Sequence, residues 1–311
     1  MEKERVAIIG AGMMGHGLAQ IFAAGGYEVV LTDVNGELLL KALINVRTNM
    51  TFLADNGLGS REEIEPGLAR IRTTTSLKEA VSHAQVVIEA VSENLGLKQK
   101  IFQDMEDYCP VDTILASNTS VISITEIAQR TTHKNRVVGT HFWFPPYLIP
   151  LVEVVKGRET SDETMDFTYD FMKRAGKHPI KCLKDVPGFV ANRLQHALWR
   201  EAISMVEHGI ADAATVDDAI KHSFGIRLSV LGPLENADMA GLDLTLQIHN
   251  YILQYLESSP APSAVLIQKA AIGELGMKSS KGFYDWTPDK EGELRKRLLN
   301  HLIEWNKKQK T

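Results

Sequence analysis

An apolar run, Val6-Ala-Ile-Ile9, leads directly into Gly10, Gly12 and Gly15, after which Leu18, Ala19, Ile21, Phe22 and Ala23 recur at helical intervals. A buried strand, a glycine turn in G-x-G-x-x-G spacing and a helix open a βαβ unit of the kind that binds a dinucleotide. Gly10 makes the tight turn, Gly12 lets backbone approach a pyrophosphate, and Gly15 lets the helix lie close on the strand. The N–H groups at the helix start face the phosphates, aided by the helix dipole. Met13 and Met14 lie inside the loop and count with the glycines as cofactor-contacting positions. A second strand, Tyr27-Glu-Val-Val-Leu-Thr32, ends at Asp33, 18 positions beyond Gly15. An acid there accepts hydrogen bonds from the adenosine ribose hydroxyls. It would repel a 2′-phosphate, and Val34-Asn-Gly36 offers no arginine to hold one, so the expected cofactor is NAD. An ordinary Gly-rich βα turn with no ligand is the alternative, and the spacing to Asp33 argues against it.

From residue 5 to about 184, strand-like runs alternate with amphipathic helical patterns, which is the α/β signature. The further strands are expected at 69–73, 85–91, 113–116, 136–141, 151–155 and 179–182, and a long helix at 36–54 broken by Asn56-Gly-Leu-Gly-Ser60. After Asp185-Val-Pro-Gly188 the pattern turns wholly helical: 189–208, then starts near Thr215 and Gly241, with Ser258-Ser-Pro-Ala-Pro-Ser263 as a loop. The expected architecture is α/β, a Rossmann-type doubly wound parallel sheet followed by an all-helical C-terminal domain. Its boundaries are an NAD-binding domain over 1–185, a helical substrate and dimerisation domain over 186–288, and a helical tail over 289–311. That second domain suits either closure over a substrate or a dimer surface.

The 311 residues, 44% of them hydrophobic and 23% charged, describe an ordinary soluble protein of two domains. A net charge of −5 leaves no basic stripe for nucleic acid before Asn306-Lys-Lys-Gln-Lys310, which reads as a solvated, frayed end. Cys109 and Cys182 lack metal-ligand spacing and suit a reducing compartment, so no metal is expected. No apolar stretch nears the roughly 20 residues of a membrane span. Met-Glu-Lys-Glu-Arg runs at once into the first strand, so no signal peptide is expected and the cytoplasm is the default.

Oxidising an alcohol with NAD requires a base for the hydroxyl proton, and histidine titrates near neutrality. Of ten histidines, His141 ends the strand-like run Val137-Val-Gly-Thr140, at the sheet edge where α/β proteins bind ligands. Phe142-Trp-Phe-Pro-Pro146 follows as an aromatic wall, and Glu153 lies inside the apolar run 151–155. A carboxylate there needs a partner. Spacing leaves open a His141–Glu153 dyad or a structural histidine beside an unrelated ion pair. Ser117-Asn-Thr-Ser120 either bind a substrate oxygen or cap a helix starting near Ile122, and Asn192 is polar among apolar neighbours.

Together these stretches resemble the L-3-hydroxyacyl-CoA dehydrogenase family over nearly the whole chain. The resemblance is carried by Gly-Ala-Gly-Met-Met-Gly (10–15), Glu-Ala-Val-Ser-Glu-Asn (89–94), Ser-Asn-Thr-Ser (117–120), His-Phe-Trp-Phe-Pro (141–145) with Leu-Val-Glu-Val (151–154), and Pro-Gly-Phe-Val-Ala-Asn-Arg-Leu (187–194). Gly-Pro-Leu-Glu (232–235), Asp-Met-Ala-Gly-Leu-Asp (238–243) and Gly-Met-Lys-Ser-Ser-Lys-Gly-Phe-Tyr (276–284) continue it. It implies that His141 is the catalytic base and Glu153 its orienting partner, with Ser120 and Asn192 on the reacting part of the substrate. Glu93 and Lys98 would line the nicotinamide half of the cofactor, with Asn118 also a cofactor contact, and the helical domain would form a homodimer.

Two departures bear on the substrate. Phe144 stands where the acyl-CoA enzymes have an asparagine, and Arg47-Thr-Asn-Met-Thr-Phe-Leu53 where they cluster lysines near the CoA phosphates. Pro145-Pro-Tyr-Leu-Ile-Pro150 is similar to the branch holding lambda-crystallin, carnitine dehydrogenase and a pyridoxine-degradation dehydrogenase. The expected activity is therefore interconversion of an L-3-hydroxyacyl-CoA, or an L-3-hydroxy acid, and its 3-keto form. Trp143, Phe144 and Arg47 are the candidate substrate contacts. The alternatives are a dehydrogenase of a small free hydroxy compound and a structural or NAD-sensing protein on the same scaffold.

Overall fold

A computed structural model describes residues 4–309, so the opening Met1-Glu-Lys3 and the closing Lys310-Thr311 lie outside the described residues. By contact the chain divides into two units, 1–192 with 298–311, and 193–297.

The first unit is built on eight strands: β1 (Arg5–Ile9), β2 (Glu28–Thr32), β3 (Ile71–Thr74), β4 (Val86–Glu89), β5 (Ile114–Ser117), β6 (Val137–Phe142), β7 (Leu151–Val155) and β8 (His178–Cys182). Their order in the sheet is β3-β2-β1-β4-β5-β6-β7-β8. The chain runs outward from β1 to β3 and then returns to place β4 beside β1. That reversal opens a crevice at the strands' carboxyl ends, where open α/β sheets bind ligands. Side chains alternate between the faces: Val6 and Ile8 of β1 join one core, Ala7 and Ile9 the other. Both faces of the central strands are thus covered by buried apolar side chains.

The sheet departs from the all-parallel expectation at one pair. β7 runs antiparallel to β6, while every other neighbouring pair is parallel. A parallel return needs a crossover of about a dozen residues or more, and residues 143–150 are too few for one. In the resulting register His141 stands directly opposite Glu153.

Element ends move for identifiable reasons. β4 stops at Glu89, not at 91, because the Glu89 carboxylate accepts the Val91 amide at 2.7 Å and turns the chain. The helix expected near Ile122 is the short Ile124–Ile127, capped by Ser123 and not by the 117–120 cluster. The unit boundary falls after Asn192, beyond the expected 185. Phe189 is buried in a core of the sheet, and the Val190 and Ala191 amides bond to Glu153. The last helix, Pro288–Gln309, is not a separate tail. From residue 298 it belongs to the first unit, with Ile303 buried and Asn306 Nδ2 donating to the Leu148 carbonyl at 2.9 Å.

The second unit is helical, with Ala213–Lys221, Pro233–Ala240, Leu242–Ile252 and Ala264–Ala271 among its helices. Leu242–Ile252 contributes no buried residue to its own unit.

Candidate active site

The glycine loop leaves β1 and enters the helix Met13–Ala24. Gly10 has φ +101°, and a Cβ there would sit 2.7 Å from the Ala90 carbonyl oxygen beyond β4. A Cβ at Gly15 would run into the Gly10 carbonyl, whereas one at Gly12 would meet nothing within 4 Å. Two glycines thus close the turn and the third faces open space, the cradle a dinucleotide pyrophosphate requires. Asp33, at the end of β2, accepts the Ala11 amide at 2.8 Å and the Asn35 amide at 3.2 Å. Its carboxylate is thereby fixed beside the loop, with Val34 projecting into solvent. Met13 is exposed at the mouth of the loop and Met14 half-buried behind it. These residues fit NAD.

Beyond β4 lies a buried charge cluster that the sequence reading saw only in part. Lys98 donates to Glu89 at 2.7 Å and lies 3.2 Å from Glu93, and the Lys98 and Glu89 side chains are 1% and 0% exposed. Glu89 also accepts the Ser117 hydroxyl at 2.7 Å. The Lys98 ammonium, expected along the nicotinamide, therefore meets these two carboxylates. The signal for Glu89 was available: it is a carboxylate closing an apolar strand, the argument that singled out Glu153. Burial pushes the Glu93 carboxyl up, but the Thr119 hydroxyl, the Lys98 charge and the Ser120 amide outweigh it and hold it below its ordinary value.

His141 and Glu153 meet across β6 and β7. The imidazole Nδ1 lies 2.8 Å from Glu153 Oε2, and both residues are buried. The second carboxylate oxygen accepts the Val190 and Ala191 amides at 2.9 and 3.0 Å. Burial raises the Glu153 carboxyl, and the His141 contact together with the two amides more than reverses it, so the group is held low and anionic. A carboxylate so placed fixes the Nδ1–H tautomer and leaves Nε2 as a proton acceptor.

The remaining predicted residues join this pair to the charge cluster. Asn192 Nδ2 donates to the Ser120 carbonyl at 3.1 Å, and the Ser120 amide donates to Glu93 at 3.1 Å. Asn118 Oδ1 accepts the Phe142 amide at 2.9 Å, tying β5 to the residue after His141. A hydrogen-bonded path thus runs from His141 through Glu153, the 190–192 turn and Ser120 to Glu93 and Lys98. The aromatic candidates part company: Trp143 turns its indole N–H onto Glu153, and Phe144 is exposed. Arg47, on the helix Gly36–Asp55, pairs with Glu65 through both carboxylate oxygens, and both side chains are exposed. Arg61 likewise pairs with Asp55 at 2.6 Å. Among the described residues no group of three His, Cys, Asp or Glu is placed to hold a metal.

Residues 5–186 match the family described as 3-hydroxyacyl-CoA dehydrogenase, NAD binding domain, and residues 188–286 the corresponding C-terminal domain. The chain is 33% identical to 5-formyl-3-hydroxy-2-methylpyridine 4-carboxylate 5-dehydrogenase of Mesorhizobium japonicum, covering 96% of each. It is 37% identical to a probable 3-hydroxybutyryl-CoA dehydrogenase of Bacillus subtilis over 92% of this chain and 98% of the relative. Among solved structures, an NAD+-dependent dismutase described as the same pyridine carboxylate 5-dehydrogenase superposes with a TM-score of 0.90 at 33% identity, covering 97% of both chains. The (S)-3-hydroxybutyryl-CoA dehydrogenase of Ralstonia eutropha gives 0.78 at 34% identity over 92% of this chain and all (100%) of the other.

Proposed function

Because the chain belongs to the 3-hydroxyacyl-CoA dehydrogenase family, we propose that His141, oriented by Glu153, takes the hydroxyl proton of an L-3-hydroxyacyl substrate. The protein is an NAD-dependent oxidoreductase acting on a CH–OH group. The reaction interconverts an L-3-hydroxyacyl-CoA, or an L-3-hydroxy acid, and its 3-keto form. NAD, when bound, supplies the hydride acceptor at the nicotinamide ring. The observation that carries the reading is the 2.8 Å contact between His141 Nδ1 and a buried, anionic Glu153 at the carboxyl end of β6. Such a pair has the donor geometry of an oriented general base, with the proton leaving the substrate oxygen for Nε2. Ser120 and Asn192, already bonded to each other, bind the substrate oxygen that becomes the carbonyl, and Glu93 faces the cofactor.

A second reading, a small free hydroxy compound without CoA, draws on a specific observation. Arg47, the cation expected as a substrate contact, is already paired with Glu65. The 0.90 likeness to a pyridine carboxylate dehydrogenase favours it as well. A steady-state panel with NADH and acetoacetyl-CoA, against free 3-keto acids, decides between them. A micromolar KM for acetoacetyl-CoA with no turnover of free acids sustains the thioester reading and a place in fatty acid metabolism. Turnover of free acids alone sustains the second. No NADH consumption with any member would favour the structural or NAD-sensing alternative and overturn both. We further propose a cytoplasmic protein, consistent with the free Cys109 and Cys182, that dimerises through its helical unit.

A further inference from the structure

Glu153 Oε2 receives two donors. His141 Nδ1 lies 2.8 Å away and Trp143 Nε1 3.3 Å. The same indole packs beside the imidazole, with ring centroids 5.4 Å apart. Phe189 closes the other side of the imidazole at 5.7 Å. Trp143 therefore touches the base and bonds to the carboxylate that orients it. Besides His141 on β6, the titratable group facing Glu153 is the Cys182 thiol of β8, 3.8 Å from Oε1. Burial and the carboxylate push that thiol up to about 12, so it stays neutral across the working range. The Val190 and Ala191 amides complete the shell.

The segment that delivers the indole is braced along its length. Lys177 Nζ donates to the carbonyls of Pro146 and Ile149 at 2.7 and 2.6 Å. Asn306 donates to the Leu148 carbonyl between them at 2.9 Å. Gly17 of the dinucleotide-binding helix leaves room for the Pro146 ring, which a Cβ would meet at 2.5 Å. The indole thus enters from a held segment.

We propose that Trp143 is a positioning residue for the catalytic pair, its indole N–H sharing Glu153 Oε2 with His141. The shared oxygen is fixed in rotation, and part of its charge is drawn toward the indole. The imidazole keeps its Nδ1–H tautomer, and Nε2 is left for the substrate proton. This rests on the reading of His141 as the base.

Trp143→Phe removes the N–H and keeps a ring. With charge concentrated on Oε2, the acid limb of kcat/KM for alcohol oxidation moves to higher pH by about half a unit, and kcat near neutrality falls about fivefold, the worth of one hydrogen bond. In the Glu153→Gln background the same substitution adds nothing further, because the indole acts through that carboxylate. An unmoved acid limb, or an equal loss in both backgrounds, overturns the proposal. His141→Ala assayed alongside separates the two ideas: if it retains turnover, the base reading falls, whereas an inactive His141→Ala beside an unmoved Trp143→Phe profile removes only the role of Trp143. A measurement on the unaltered, NAD-free protein stands apart from any folding defect. By 1H–15N NMR the Trp143 indole resonance follows the His141 imidazole titration, and an indole signal flat across it overturns the proposal.

Discussion

At the scale of single residues, the chemistry depends on where one carboxylate finds its donors. His141→Ala leaves the glycine loop and Asp33 untouched, so NAD binding measured by calorimetry stays at the wild-type level. Turnover falls about 10²–10⁴-fold, the usual worth of a general base. Glu153→Gln keeps the shape and loses the charge that stabilises the imidazolium, so kcat drops with cofactor affinity unchanged. The same substitution has a pH signature. The Glu153 carboxyl is held below its ordinary 4.5, so its charge stabilises the fold above that pH and the contribution is lost as pH falls through the lower, folded-state value. Denaturant unfolding of wild type against Glu153→Gln shows a gap that narrows as pH falls below about 4.5. A gap independent of pH down to 3 would deny the depressed carboxyl. This pair was legible because an acid inside Leu151-Val-x-Val-Val155 has to be partnered. Trp143 was not legible in that role. An indole N–H carries no pattern in sequence, and only the antiparallel register brings it onto the same oxygen.

Elements were easier to read where period and punctuation agree, and harder where side chains reset an end. The glycine loop and the strand ending at Asp33 lie where spacing puts them, since three glycines and an acid at fixed offsets admit few geometries. An apolar run such as 151–155 reads the same in either direction, and only the length of 143–150 shows that β7 runs antiparallel. If Asp33 faces the ribose as proposed, Asp33→Ser combined with Val34→Arg removes the repulsion and adds a cation, and raises the NADP-to-NAD ratio of kcat/KM by at least about tenfold, some 1.4 kcal/mol. An unaltered protein already preferring NADP would show that Asp33 does not face the ribose. Lys177 gives a second element-scale prediction. Burial lowers its ammonium from 10.5 to about 8 while it holds the loop carbonyls. Between those values the unfolded chain binds the proton and the folded one does not, so stability rises with pH across the window. Relative to Lys177→Met, the wild type gains on the order of 2 kcal/mol from pH 8 to 10.5. Parallel melting curves for the two proteins over that range would disprove the buried ammonium.

At the scale of the whole chain, the sequence foresaw an α/β half and a helical half, and it misplaced the last helix because amphipathic pattern does not say which unit a helix joins. The tie is local and polar: Asn306 on the Leu148 carbonyl, with Ile303 buried near it in sequence. The helical unit presents the opposite situation, a surplus of apolar surface. Leu242, Leu244, Leu246, Ile248 and Tyr251 of Leu242–Ile252 are all exposed, as are Val230, Leu234 and Met239 before it. Monomeric proteins rarely leave apolar patches above a few hundred Å² (roughly 300–600 at most) open to water, so a surface of this kind calls for a cover. On the dimer proposed above, a second copy of the same unit would supply one, because a two-fold interface needs only a self-complementary face. Light scattering at micromolar concentration should then give twice the chain mass. Leu242→Glu together with Leu246→Glu, four residues apart on one side of that helix, places charges on that face and should shift the protein to a single chain, with the sheet unit and NAD binding intact. A wild type that scatters as a single chain at every concentration, or a double variant that keeps twice the chain mass, would locate the contact elsewhere and leave the apolar helix to another role.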